Sequence, residues 1–155
     1  MRLYLVQHAE AKKEEEDPER GLTARGLTDI RKVAEYAARL PVAVNAIYHS
    51  GKKRAAQTAQ MLADFIRPKV PLFAVEGLSP QDDPGTWFSR LKASNEDMII
   101  VGHLPHLAKL AGLLLEGDSE RNCIAFKMGG MVCLKRGDND RWTVEWVLVP
   151  EVVRG

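Results

Sequence analysis

Short apolar runs separated by helix-length amphipathic segments constrain the fold of this chain more than any other feature. The clearest runs cover 3–6, 46–48 and 98–101, and each is too short to be a helix. A run that stays apolar without alternating is typical of a strand buried on both faces of a parallel sheet. Strands that alternate with helices in this way indicate βαβ units. The sequence therefore predicts an α/β fold around a mostly parallel sheet.

The segments between these runs carry helix signals. Thr23 is a predicted N-cap, the helix after it is stopped by Pro41, and a second helix ends before Pro68. Turn chemistry over 80–85 indicates a loop, and a third helix begins near Trp87. A fourth helix follows the apolar run at 98–101. Further strands are predicted over 70–75, 123–126, 131–134 and 142–149, the last three as an antiparallel meander.

The order of these elements is not interrupted by an internal repeat or an interdomain linker, so residues 1–155 are predicted to form one domain. The expected architecture is a three-layer sandwich, with helices on both faces of the sheet and antiparallel strands at its C-terminal end. A hydrophobic fraction of 45% is ordinary for such a globular chain and argues against disorder.

Charge and cysteine content narrow the classes of partner and compartment. With 22 basic and 21 acidic side chains, the net charge of +1 gives no overall attraction to nucleic acid or to an anionic membrane. The apolar N-terminal run is too short for a signal peptide, and Lys109 interrupts the apolar segment 107–115, so the cytoplasm is the predicted location. Cys123 and Cys133 are interpreted as two small buried hydrophobes, with a disulfide across a hairpin as the alternative.

Polar side chains follow three of the predicted strands directly. His8 follows the run at 3–6, His49 and Ser50 follow the run at 46–48, and His103 follows the run at 98–101. Ligands of open α/β sheets bind outside the carboxyl ends of the strands. Arg54 begins a helix nearby, and its forked donors match phosphate oxygens. Because a neutral imidazole is a good nucleophile toward phosphorus, these residues predict an anion site with a nucleophile at its floor.

Four segments of the chain, taken together, resemble a known family. They are LVQHAE at 5–10, LTARG at 22–26, SGKKRAAQT at 50–58 and VGH at 101–103. Their order and spacing resemble the histidine phosphatase superfamily, which has the phosphoglycerate mutase-like fold. The short length and the Leu-Ser-Pro stretch at 78–80 are most similar to the SixA-type phosphohistidine phosphatases. The resemblance extends from Arg2 to about Pro105.

The resemblance implies a reaction and a set of site residues. His8 would become phosphorylated, Arg54 and His103 would hold the phosphoryl group, and water would then hydrolyse the phosphohistidine without metal or cofactor. The implied substrate is the phosphohistidine of a signalling phosphotransfer protein, such as a histidine phosphotransfer domain, and a small phosphomonoester is the alternative. The implied phosphate-binding residues are Gln7, His8, Arg20, Ser50, Arg54 and His103.

One departure from the family pattern puts activity in question. The first motif of the family is Arg-His-Gly or Arg-His-Ala, and Gln7 stands here in place of the arginine. A glutamine donates one neutral hydrogen bond instead of two charge-assisted ones. Arg20, Lys52 or Lys53 is expected to compensate in part. The alternative is a phosphate- or phosphoprotein-binding module that has lost catalysis.

A general acid for the leaving group is expected from the segment after the third strand, as in the wider superfamily. The candidates are Glu76, Asp82 and Asp83, with solvated loop carboxylates as the alternative. Phosphohistidine is labile, and its leaving nitrogen can already carry a proton, so a strong enzymic acid is less necessary for that substrate.

Two further histidines are predicted to be secondary. His49 is expected either to orient Arg54 or simply to end its strand, and His106 is expected to be solvated in the first turn of a helix. A metal hydrolase built on Glu10 and the histidines at 49, 103 and 106 is a different enzyme class that the sequence favours much less.

Overall fold

The computed structural model describes residues 1–66 and 70–154 and contains one six-stranded mixed sheet. Its strands are β1 (Arg2–Gln7), β2 (Ala46–His49), β3 (Leu72–Ala74), β4 (Met98–Gly102), β5 (Met131–Arg136) and β6 (Trp142–Leu148). Their order across the sheet is β3-β2-β4-β1-β5-β6. The first four strands in that order run parallel, whereas β5 and β6 pair antiparallel.

Within residues 1–66 and 70–154, four α-helices cover the two faces of this sheet. They are α1 (Ala24–Ala37), α2 (Lys53–Ile66), α3 (Pro84–Lys92) and α4 (His106–Glu116). The buried side chains of α1 and α2 join one apolar cluster, and those of α3 and α4 join a second. Alternate residues of β1 belong to opposite clusters, as strand geometry requires: Tyr4 and Val6 to the first, Leu3 and Leu5 to the second. The predicted three-layer α/β architecture is confirmed.

The helix boundaries follow from local capping chemistry. The Thr23 hydroxyl accepts a hydrogen bond from the Gly26 amide at the start of α1, as predicted. Asp83 caps α3 in the same way through Gly85, so this helix begins inside the segment that was predicted to be a loop. The predicted end of α2 at Pro68 lies outside the described residues.

Two strand predictions differ from the structure. Residues 123–126 form no strand, because their apolar alternation reflects the packing of Ile124 and Phe126 on the α3–α4 cluster rather than a ladder. The third strand covers Leu72–Ala74 rather than the predicted 70–75, and it makes three pairs with β2, from Ile47 with Leu72 to His49 with Ala74.

The cysteines do not pair. Cys133 is buried in β5, as expected of a small hydrophobe, whereas Cys123 is exposed, and both are free thiols. Among the described residues, no helix is long and apolar enough to cross a membrane.

Candidate active site

The carboxyl ends of the three central parallel strands meet at one edge of the sheet. Gln7 at the end of β1 lies beside Gly102 at the end of β4, and His49 of β2 lies beside Val101. The amide of His8 donates to the Gly102 carbonyl at 3.0 Å, which extends the β1–β4 pairing by one residue. Residues that are remote in sequence are therefore adjacent here.

The imidazoles of His8 and His103 lie together at this edge, with ring centroids 5.0 Å apart. His8 Nδ1 is 2.7 Å from the Ala9 carbonyl oxygen. Since a carbonyl only accepts, Nδ1 must carry the proton, and the neutral ring then has its lone pair on Nε2. His8 Nε2 has no hydrogen-bond partner in the described part of the chain, so it is the nitrogen available to attack.

Burial and nearby cations keep both rings neutral. Burial lowers the pKa of His8, and the Arg54 and Arg20 guanidinium groups lower it further, while the bond to the Ala9 carbonyl opposes them. Burial, followed by the electrostatic effects of His8, Arg54 and Lys52 on an imidazolium ion, lowers the pKa of His103 to about 3. Both shifts favour the neutral form of the ring, which is the form of His8 that can act as a nucleophile.

Arg54 lies in the first turn of α2 and supplies the principal charge of the site. Its Nε is buried and has no hydrogen-bond partner among the residues described. Burial lowers the pKa of Arg54, and the charge of Arg20 lowers it further. Two guanidinium groups that repel each other, together with an unpaired buried donor, form a site that an anion would stabilise.

Ser50 connects the helix side of the pocket to His103. Its hydroxyl oxygen lies 2.6 Å from His103 Nε2 and also accepts from the Lys52 amide at 3.3 Å. The turn between them places Gly51 at a φ of 87°, a left-handed conformation that glycine adopts without strain. The Gly51 amide donates to His49 Nδ1, so His49 fixes this turn. Among the described residues, His49 makes no hydrogen bond with Arg54.

Of the residues expected to compensate for Gln7, Arg20 lies near the site, whereas Lys53 is engaged in ion pairs. Gln7 Oε1 is buried and lacks a donor among the described residues. Arg20 lies close enough to act on both His8 and Arg54, and its Nε donates to the Lys12 carbonyl at 3.0 Å. Lys53 is instead paired with the carboxylates of Glu19 at 3.2 Å and Asp17 at 4.0 Å.

The three candidate acids line one cleft of about 490 Å³, which Ser50 also lines. Asp82 accepts from the Ser79 amide at 2.9 Å, and Asp83 accepts from the Gly85 amide at 2.8 Å as the cap of α3. Both carboxylates are therefore engaged in holding local turns. The Glu76 carboxylate is exposed and has no hydrogen-bond partner in the described part of the chain.

The prediction that His106 is solvated is wrong. The side chain is fully buried, because it lies one helical turn before Leu110 on the inward face of α4. Neither ring nitrogen has a hydrogen bond of ordinary geometry within the described residues, and burial lowers its pKa while Asp82 raises it. Over the same residues, no three His, Cys, Asp or Glu side chains are grouped closely enough to hold a metal ion.

Two residues of the 50–58 motif hold the loop that follows β1, and sequence reasoning gave them no role. Thr58 Oγ1 accepts from the Ala9 amide at 3.0 Å, and Gln57 Oε1 accepts from the Leu22 amide at 2.7 Å. From α1, Gly26 packs so closely that a Cβ would lie 2.2 Å from the Glu10 carbonyl oxygen. In the sequence, these residues were marked only by their place in the segments 22–26 and 50–58.

Comparisons with known proteins agree with this arrangement. The model of the histidine phosphatase superfamily (branch 1) matches residues 3–82. An uncharacterized protein of Picosynechococcus sp. is 30% identical over 145 residues, which cover 88% of this chain and 86% of that protein.

Solved structures of the phosphoglycerate mutase-like fold superpose over nearly the whole chain. The protein histidine phosphatase SixA complexed with tungstate has a TM-score of 0.85 at 22% identity, over 97% of each chain. The alpha-ribazole phosphatase from Shigella flexneri has a TM-score of 0.79 at 15% identity, also over 97% of each chain. At these identities the similarity establishes the fold.

Proposed function

Because this chain belongs to the histidine phosphatase superfamily, branch 1, we propose that it is a phosphatase that forms a phosphohistidine on His8. The observation that carries the proposal is the hydrogen bond from His8 Nδ1 to the Ala9 carbonyl, which leaves Nε2 as the free nucleophile beside Arg54 and His103. A fixed tautomer and a low pKa are both needed for attack at neutral pH.

The reaction has two displacements at phosphorus. In the first, the Nε2 lone pair of His8 forms the P–N bond while the bond from phosphorus to the leaving group breaks. In the second, water attacks phosphorus, the P–N bond breaks, and inorganic phosphate leaves with His8 neutral again. Arg54 and Arg20 offset the charge on the equatorial oxygens in both steps. His103 donates a hydrogen bond from Nε2 to a phosphoryl oxygen, which takes the place of its contact with the Ser50 hydroxyl.

Glu76 is the proposed proton donor to the leaving group. Unlike Asp82 and Asp83, it has no amide to cap, and it lies in the cleft that extends from Ser50. A carboxylic acid there protonates an alkoxide or phenoxide as the bond to phosphorus breaks.

The proposed substrate is a phosphohistidine of a phosphotransfer protein. Short connections surround the pocket, and the loop over 10–20 that borders it is mostly exposed, so a protein side chain has access. The similarity to SixA supports this class, and the similarity to an alpha-ribazole phosphatase supports a small phosphomonoester as the alternative. Reaction without metal is part of the proposal and predicts full activity in EDTA.

The experiment compares substrates directly. The wild type and His8→Ala receive a phosphohistidine protein and a panel of sugar and nucleotide phosphates, with and without EDTA. The proposal predicts faster release of phosphate from the protein, no effect of EDTA and no turnover by His8→Ala. Preference for one small phosphate would contradict the proposed phosphohistidine substrate. Turnover by His8→Ala would contradict the mechanism through a phosphohistidine on His8.

A second candidate function rests on Gln7. Loss of the motif arginine is compatible with a module that binds phosphate or a phosphoprotein without turnover. Such a module would bind the phosphorylated protein and leave His8 unlabelled.

A further inference from the structure

A single buried hydroxyl connects the loop of the proposed nucleophile to the helix that carries Arg54. Thr58 is fully buried in α2, and its Oγ1 lies 2.8 Å from the Arg54 carbonyl and 3.0 Å from the Ala9 amide. The carbonyl only accepts and the amide only donates, so the directions of both bonds are determined. The hydroxyl proton goes to Arg54, and the oxygen accepts from Ala9.

Ala9 is in turn the residue that selects the tautomer of His8. Its carbonyl accepts the Nδ1 proton at 2.7 Å, and this bond works only if the backbone of Ala9 holds its conformation. The flanking groups have other anchors: the His8 amide donates to Gly102, and the Glu10 carbonyl accepts from the Thr23 amide. Thr58 supplies the anchor for the Ala9 amide, which lies between these two groups.

We propose that Thr58 is a positioning residue: through Ala9 it holds His8 in the Nδ1-protonated tautomer and in register with Arg54. The role in catalysis rests on the proposed function, whereas the effect on the tautomer does not. Threonine suits the position because its branched Cβ restricts χ1, which keeps the oxygen between the two backbone groups. Removal of the acceptor leaves the Ala9 amide buried and unpaired, a condition that favours movement of the loop.

The first measurement uses the wild-type protein and needs no activity. Nitrogen-15 NMR of the histidine side chains distinguishes the two neutral tautomers, with His8→Gln used to assign the signal. The proposal predicts Nδ1–H at His8 and a slowly exchanging Ala9 amide. An Nε2–H tautomer, or fast exchange at Ala9, would overturn it without any Thr58 variant.

The second measurement uses Thr58→Val, which keeps the shape and removes the acceptor, and Thr58→Ser, which keeps the hydroxyl. Thr28→Val is the matched control, because Thr28 makes the same bond to a carbonyl four residues earlier, Ala24, but is exposed on α1. In Thr58→Val we expect a loss of the Nδ1–H tautomer and a drop in the rate of His8 phosphorylation by roughly 10- to 100-fold, since small misplacement of a reacting group is costly. The dissociation constant for inorganic phosphate should change less than this rate, because Arg54 and Arg20 keep their charges.

Thr58→Ser restores the tautomer and most of the rate, and Thr28→Val behaves as the wild type. The hydrogen bond between His8 Nδ1 and the Ala9 carbonyl raises the pKa of His8. Loss of this bond in Thr58→Val lowers that pKa, so the acid limb of the pH–rate profile moves to lower pH. A Thr58→Val protein with the wild-type tautomer overturns the inference. If Thr58→Val changes the tautomer of His8 but the wild type never becomes phosphorylated on His8, the inference is supported and the proposed function is contradicted.

Discussion

His8 packs against His103 with ring centroids 5.0 Å apart and an interplanar angle of 49°. Two imidazolium ions at this separation repel each other, and the nearby Arg54 charge disfavours either one. The pair is therefore held neutral in the folded protein. A doubly neutral pair leaves the positive charge of the pocket on the guanidinium groups, where it attracts phosphate without consuming the nucleophile.

Acid should destabilise the fold through His103. Its pKa falls from 6.5 when unfolded to about 3 when folded, so between these values the unfolded chain binds a proton that the folded chain does not. Stability then rises with pH across this window and is lost on acidification below 6.5, by about 1.4 kcal/mol per pH unit for one group. Urea unfolding from pH 7.5 to 4.5 measures the slope.

His103→Gln is the comparison for this prediction, because it keeps a partner for Ser50 and removes the titration. Its free energy of unfolding should depend less steeply on pH than that of the wild type. Parallel pH profiles for the two proteins would contradict the assignment to His103.

Gln7→Arg should raise turnover. A charge-assisted hydrogen bond contributes ~1.5–3 kcal/mol against ~0.5–1.5 kcal/mol for a neutral one, a difference of about 1–2 kcal/mol in stabilisation of the phosphoryl group. That corresponds to a gain of roughly 5–30-fold in kcat/KM. Steady-state kinetics with the preferred substrate gives the ratio. Equal or lower turnover by a folded Gln7→Arg protein would mean that the glutamine is not a deficit at this site.

Arg20→Gln should weaken phosphate binding, and Lys53→Gln should not. Arg20 acts on His8 and Arg54 from the loop before α1, whereas Lys53 pairs with Glu19 on the surface. Each substitution removes one positive charge, and calorimetry measures the dissociation constant of each variant for inorganic phosphate. If both substitutions weaken binding equally, net charge rather than placement accounts for the effect.

Glu76→Gln should slow the hydrolysis of an alkyl or aryl phosphate more than that of phosphohistidine. The first leaving group needs a proton from the enzyme, while the nitrogen of phosphohistidine can already carry one. Asp82→Asn serves as the comparison within the same cleft, since that carboxylate holds the Ser79 amide. Equal losses on both substrates for Glu76→Gln would remove its role as acid.

The convergence of the strand-end histidines was predictable, because the carboxyl ends of neighbouring parallel strands share one edge. His8 and His103 needed only the apolar runs before them to be placed there. The family was predictable from four motifs in order, and the family match agrees. The chemical roles of the site residues stay predictions.

What the sequence did not reveal depends on tertiary packing. His106 follows a proline at the start of a helix, a position that is often solvated, yet the face of α4 on which it lies packs inward. Residues 123–126 alternate like a strand without a neighbour to pair with. The hydrogen bond from the Ala9 amide to the Thr58 hydroxyl joins residues 49 positions apart, and no periodicity indicates such a contact.

The most direct test of the mechanism is the phosphoenzyme itself. Wild-type protein mixed with a substrate labelled in its phosphoryl group, then quenched in alkali within milliseconds, should carry the label on His8 as an acid-labile, alkali-stable adduct at Nε2. His8→Ala should carry none. Phosphate released at the full rate without any labelled His8, or with the label on another residue, would contradict the account.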